Sequence, residues 1–209
     1  MQLDTIAAAT GYLGSALGVA MVIPQVLRTL RNRQLPGVSA LSWALTAVAC
    51  TTWLLYGIRT SEIPQIPGNV LLVSGAVAVV LLVPSRITPI FRAFGLAAAA
   101  TVIGVLAVVA PPAVIGGVGG AIGVVSGLPQ LIRSLRRTAA VSAVSPLTWA
   151  LRVASQTAWL SYGLLLHDLV VVFSAAVLLT NALAVLLLET TRRPVPILES
   201  AAVVEPIAA

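Results

Sequence analysis

Apolar residues dominate seven stretches of the chain, at 6–30, 39–58, 66–83, 89–110, 114–135, 146–166 and 169–188, and most charged residues fall between them or at their ends. A helix that crosses a bilayer needs about 17–25 mostly apolar residues, and each stretch has that length. The runs are continuous, whereas strands of a membrane barrel alternate apolar and polar positions over about ten residues. In lipid the backbone must satisfy its own hydrogen bonds, which continuous runs of this length achieve as helices. The pattern therefore predicts an all-α membrane protein with seven transmembrane helices. The first stretch follows Met1-Gln2-Leu3-Asp4, with no basic residue ahead of it. It is also too long for the core of a cleaved leader, so it is expected to remain as a spanning helix.

The pattern repeats. Residues 24–31 read PQVLRTLR and residues 129–136 read PQLIRSLR, with five of eight positions identical. Residues 38–57 (VSALSWALTAVACTTWLLYG) and 144–163 (VSPLTWALRVASQTAWLSYG) match at eleven of twenty without a gap. Compositional bias produces matches of Ala, Val and Leu, but not two Trp, a Tyr-Gly and a Pro-Gln in the same order. The copies take in stretches one to three and five to seven. One extra span lies between them, so both copies enter the membrane in the same direction, as parallel repeats. The expected organisation is a first three-helix repeat at 1–88, a linker helix at 89–112, a second repeat at 113–190 and a cytoplasmic tail at 191–209.

Composition agrees and adds orientation. The chain has 209 residues, 59% hydrophobic and 9% charged, against about 25% charged in a soluble domain, and its mean hydropathy is +1.05. The net charge of +6 comes from twelve basic residues, all Arg. They do not form one patch, so a nucleic-acid partner is not expected. Ten of the twelve alternate to one side: Arg28, Arg31, Arg33, Arg86, Arg92, Arg133, Arg136, Arg137, Arg192 and Arg193. The positive-inside rule then places the N-terminus outside and the C-terminus in the cytoplasm. Cys50 and His167 are the sole residues of their types, so neither an internal disulfide, nor a Cys/His metal site, nor any cofactor is expected.

These residues resemble the PQ-loop superfamily, and within it the SWEET and SemiSWEET sugar transporters. The resemblance rests on Pro24-Gln25 and Pro129-Gln130, the Ser39 and Ser145 positions, and the Trp53/Tyr56-Gly57 and Trp159/Tyr162-Gly163 signatures, and covers nearly all of 10–188. It implies hinges at Pro24 and Pro129, a substrate pocket lined by Trp53 and Trp159, and pocket positions at Asn69 and Ser155. Gln25 and Gln130 are suited to bonding the carbonyls that the prolines free. The second repeat departs from the family at the Asn: Ala175, preceded by Ser174, stands where Asn69 has its counterpart, and Asn181 lies nearly two turns further on.

The remaining candidates come from the residues themselves. Arg152 lies inside the sixth stretch, where a charge marks a functional hypothesis. Arg152, Gln156 and Trp159 fall at i, i+4 and i+7, on one helical face, with Ser155 beside them. That face either lines a cavity and holds a carboxylate or hydroxyl-rich solute, or Arg152 snorkels to the surface or pairs with Glu189. Trp43 and Trp149, at the starts of their spans, suit interfacial anchoring. Glu62 and Asp168, each six residues after its Tyr, suit capping of the following helix. Gly119, Gly123 and Gly127, four apart, permit close helix contact.

The expected function is a transporter facilitating the movement of a small solute, most of all a mono- or disaccharide, by alternating access, as a uniporter. No Asp or Glu lies deep in a span to relay protons. The substrate-binding candidates are Trp53, Asn69, Arg152, Ser155, Gln156, Trp159, Ser174 and Asn181. The alternatives are a PQ-loop carrier of an amino acid or other small metabolite, or a receptor that binds without transport. No catalytic constellation stands out, so an enzyme is not expected. The partners are the small-molecule substrate and the lipid bilayer, in a bacterial plasma membrane. One chain holds both repeats and suffices for a pathway, whether or not copies assemble.

Overall fold

The computed structural model describes residues 2–31, 40–84, 86–136 and 146–191. Ser39, Ser145, the Gln25 side chain and the tail lie outside what it describes. The described residues form seven helices: α1 (Gln2–Arg31), α2 (Ala40–Thr60), α3 (Gln65–Leu82), α4 (Pro89–Val109), α5 (Pro112–Arg136), α6 (Pro146–Leu166) and α7 (Leu169–Thr191). They follow the apolar stretches closely. Six are long and apolar enough to cross a membrane; α6 is long enough but too polar. Arg152, Ser155, Gln156 and Thr157 in its middle cause that shortfall.

The packing is a ring. α1 packs against α3 and α6, α3 against α2, α2 against α5, α5 against α7, and α7 against α6, which closes the circle. Within each three-helix unit the third helix sits between the first two, and the two units meet at α1–α6 and α2–α5. α4 lies outside the ring, mainly against α2 and α3. Its Ile90, Phe91, Phe94, Val105 and Val109 are exposed. An apolar outer face on a ring of apolar helices is the surface lipid solvates.

α1 runs on past Pro24 and α5 past Pro129, so the prolines do not end their helices. A proline removes one hydrogen bond of the ladder, and the packed neighbours hold the rest. α2 and α6 end alike. Ser61 and His167 have positive φ, 61° and 55°. The next amides, Glu62 and Asp168, donate to the carbonyls of Gly57 and Gly163 at 2.8 and 2.9 Å. This is the Schellman ending, with Ser and His at the position that glycine usually fills. It turns the chain directly into α3 and α7. Gly57 and Gly163 allow the close return, because a Cβ on either would come within 3.0 Å of Gln65 or Val172. The repeated Tyr-Gly thus gains a structural reason.

Candidate functional site

The ring encloses a cavity of about 220 Å³. Its two facing walls come from equivalent positions of α2 and α6. α2 supplies Thr46, Ala49, Cys50 and Trp53; α6 supplies Arg152, Ser155, Gln156 and Trp159. Asn69 of α3 and Ser174 of α7 complete the lining. The walls are unequal, since Thr46, Ala49 and Cys50 of α2 stand at the positions where α6 has Arg152, Ser155 and Gln156. The same inequality explains the low hydropathy of α6.

Each Trp is held by the opposite unit. A Cβ on Gly14 of α1 would stand 3.0 Å from the Trp159 indole nitrogen, and one on Gly119 of α5 would stand 3.1 Å from that of Trp53. One turn further, Gly11 faces Tyr162 and Gly116 faces Tyr56. Glycines three apart on the first helix of one unit therefore meet a Trp and a Tyr three apart on the second helix of the other. The rings also pair edge to face, Trp53 with Tyr56 at 5.5 Å and Trp159 with Tyr162 at 5.4 Å, worth about 0.5–1.5 kcal/mol per pair beyond area burial. Ser155 donates to the Gly14 carbonyl at 2.8 Å. Asn69 donates to the Gln65 carbonyl of its own helix at 2.8 Å, while its amide oxygen is unengaged among the described residues.

The cavity is shut at one end, the tyrosine end. Tyr56 and Tyr162 are 4% and 2% exposed and pack with Ala7, Ala107, Ile115 and Val171. The Tyr56 hydroxyl donates to Asp168 Oδ2 at 2.6 Å, from one unit to the other. Asp168 Oδ1 accepts from the amides of Val170 and Val171 at 2.9 and 3.2 Å, which is the expected cap on α7. Glu62 does not cap α3. That helix enters through Pro64, which has no side-chain cap, and the Gln65 side-chain amide donates to Glu62 Oε2 instead. Glu62 stands near Tyr162 as Asp168 stands near Tyr56. Burial and the nearby Asp168 carboxylate push the Glu62 carboxyl up to about 7.

Arg152 stands on the cavity wall, its guanidinium carbon 5.3 Å from the centre of the Trp149 ring. Glu189 accepts from Ser134 at 2.7 Å, and no carboxylate pairs with Arg152 among the described residues. Trp149 is 7% exposed and packs with Ala182 and Val185, so it is a core residue rather than an interfacial anchor. A cation over an aromatic ring gains about 0.5–2 kcal/mol, whereas Arg near the centre of a span costs about 2.5–3.5 kcal/mol. Among the described residues the Trp149 ring is the partner of this charge, and the side chain lines the cavity.

The other expected residues fall in two groups. Gln156 and Ser174 reach the cavity. Asn181 does not: it sits against Gly127 of α5, where a Cβ would stand 3.0 Å from its amide oxygen, because the extra two turns carry it past the lining. Gln130 donates to Ser134 Oγ at 3.3 Å rather than to a carbonyl freed by Pro129. The glycines spaced by four do permit close contact, Gly123 against Leu178 and Gly127 against Asn181, with Gly119 turned instead to Trp53. Thr46, Cys50 and Gln65 line the cavity without having been singled out. Thr46 and Cys50 were legible as the repeat partners of Arg152 and Gln156; Gln65, whose partner is Val171, carried no such signal.

Known proteins share the repeat and the fold. Residues 6–66 match the family model described as PQ loop repeat. A 60-residue segment is 32% identical to a protein named sugar transporter SemiSWEET from Leptospira biflexa serovar Patoc, covering 29% of this chain and 71% of that one. The chain belongs to the SWEET/PQ-loop family. The fold of a solved eukaryotic SWEET transporter superposes with a TM-score of 0.78 at 17% identity, over 91% of this chain and 98% of that one. This SWEET-family chain is thus an integral membrane protein of seven helices. The SemiSWEET relative, 71% covered by 60 residues, is little longer than one three-helix unit.

Proposed function

We propose that the protein is a facilitative carrier of a small, hydroxyl-bearing solute of sugar type, working as a uniporter by alternating access. The observation that carries this reading is the cavity walled by Trp53 and Trp159, one from each unit. An indole face packs against the apolar face of a sugar ring, while Asn69, Ser174 and Gln156 supply donors and acceptors to hydroxyls. The volume of about 220 Å³ lies below the roughly 300–1,000 Å³ usual for drug-sized ligands, which favours a monosaccharide over a disaccharide. The family membership supports transport over catalysis.

In this reading the buried tyrosine end is the closed gate, and Pro24 and Pro129 are the hinges about which the units 1–88 and 113–190 rock, with 89–112 as linker. A missing ladder bond makes each proline the weak point of its helix. The positive-inside pattern puts the tyrosine end outside and the C-terminus in the cytoplasm, in a plasma membrane. One chain completes the pathway.

The test is uptake into proteoliposomes with a panel of labelled monosaccharides, for the natural protein, Trp53→Ala and Trp159→Ala. Saturable uptake that falls at least about tenfold in both variants supports the central pocket. Uptake indifferent to both removes it.

A further inference from the structure

Resting on the carrier reading, we propose that the solute is itself an anion, a sugar acid whose carboxylate docks on Arg152. Three observations meet at this point. The Arg152 side chain is half-buried within its span and lines the cavity. Its one ring contact is Trp149, and no carboxylate pairs with it among the described residues. Gln156, one turn along the same wall, also lines the cavity with its amide unengaged among the described residues.

A neutral sugar in this cavity leaves the charge as it was. A carboxylate neutralises it and takes two parallel hydrogen bonds from the planar fork, the geometry that Arg matches best. Gln156 is placed to add a donor. The rest of the solute then extends toward Trp53 and Trp159, whose positions lie two turns nearer the tyrosine end than Arg152. The lining also separates a sugar acid from an amino acid. It holds no Asp or Glu, so the ammonium of a zwitterion finds no ionic partner, while the hydroxyls of a sugar acid find Asn69 and Ser174.

The position is specific to the second unit. The residue of α2 at the position equivalent to Arg152 is Thr46, which also lines the cavity. The cavity therefore has one cationic wall and one neutral wall, which sets a single orientation for a solute with one charged end.

Binding and transport are measured separately, so that failure of the two readings is distinguishable. Binding is read from tryptophan fluorescence of the purified natural protein, Arg152→Gln and Arg152→Lys, with glucose, glucuronate, gluconate and alanine as probes. The natural protein is expected to prefer glucuronate or gluconate to glucose by at least about tenfold, as one or two charge-assisted hydrogen bonds supply. Arg152→Gln is expected to erase that preference, and Arg152→Lys to restore part of it. A natural protein that binds glucose as well as either acid, or binds neither acid, overturns the proposal and needs no variant to do so. Preference for alanine over both sugar acids also overturns it. Transport is read as uptake of the same probes in proteoliposomes. A preferred acid is expected to enter faster under an inside-positive potential, because a uniported anion carries charge. Arg152-dependent binding without uptake leaves the carboxylate site standing and defeats the carrier reading.

Discussion

Glycine and aromatic residues set the finest scale of the site. Gly14→Ala would press a methyl into Trp159, and Gly119→Ala would do the same to Trp53, at starting separations of about 3 Å. Overpacking of this kind costs about 1–3 kcal/mol. Both variants are expected to lower the melting temperature and to slow uptake, and the double variant Gly14→Ala/Trp159→Phe to regain stability, since the smaller ring makes room. Thermal melts in detergent and initial uptake rates check this. At Ser61 and His167 the expectation is opposite. Both hold the left-handed conformation, which costs an ordinary residue roughly 1–2 kcal/mol, so His167→Gly is expected to raise stability by about 1 kcal/mol despite the added freedom of the unfolded chain. Unfolding in denaturant measures it, and a destabilised variant would show that the His side chain holds something. The Trp pair and the Asp168 cap were legible from sequence, whereas for Arg152 the sequence left cavity and surface both open and the structure places it on the cavity wall. Asn181 was not legible. Its type suits a pocket, but its register, nearly two turns past Ala175, carries it beyond the cavity to Gly127, and register against a neighbouring helix is a tertiary property.

At the scale of elements, the apolar pattern predicted all seven helices, because in lipid a span has to be long, continuous and self-satisfied. It did not predict the course of the chain around the ring. The placement of α3 between α1 and α2, and of α7 between α5 and α6, depends on which small residues let backbones approach. Those are split between partners: Ser15 faces Gly68 in one unit, while Ser174 faces Gly120 in the other. Nor do the prolines read as breaks in the helices. α6 gives the sharpest test at this scale. Its polar stripe makes it a poor spanning segment alone, and Arg152 is the largest single cause. Arg152→Leu in the isolated α6 segment, placed in a host membrane protein, is expected to improve insertion by up to about 2.5–3.5 kcal/mol. Glycosylation mapping reads the inserted fraction. Equal insertion of both segments would mean that the natural helix hides its charge by snorkelling.

The whole molecule is joined at the tyrosine end by the hydrogen bond from Tyr56 to Asp168, with Glu62 close to Tyr162 and to Asp168. Glu62 is raised to about 7, by burial first and then by Asp168. The folded protein therefore holds this proton more tightly than the unfolded chain does, and stability is expected to fall as pH rises from the ordinary carboxyl range to about 7, then level off. Above that point two carboxylates face each other across the closed end, which favours its opening. Melting temperatures at pH 5 and pH 8 are expected to differ in the natural protein and to converge in Glu62→Gln. A variant with the same pH dependence as the natural protein would place the titration elsewhere. The unequal walls have a last consequence, for descent. Two identical half-length chains meeting about a true twofold axis present every wall residue twice, so a guanidinium on one wall would confront its own copy. Joining both halves in one chain removes that constraint. A lone charge is open to a chain that carries both halves: this chain holds on one wall what a symmetric pair must hold on both or on neither.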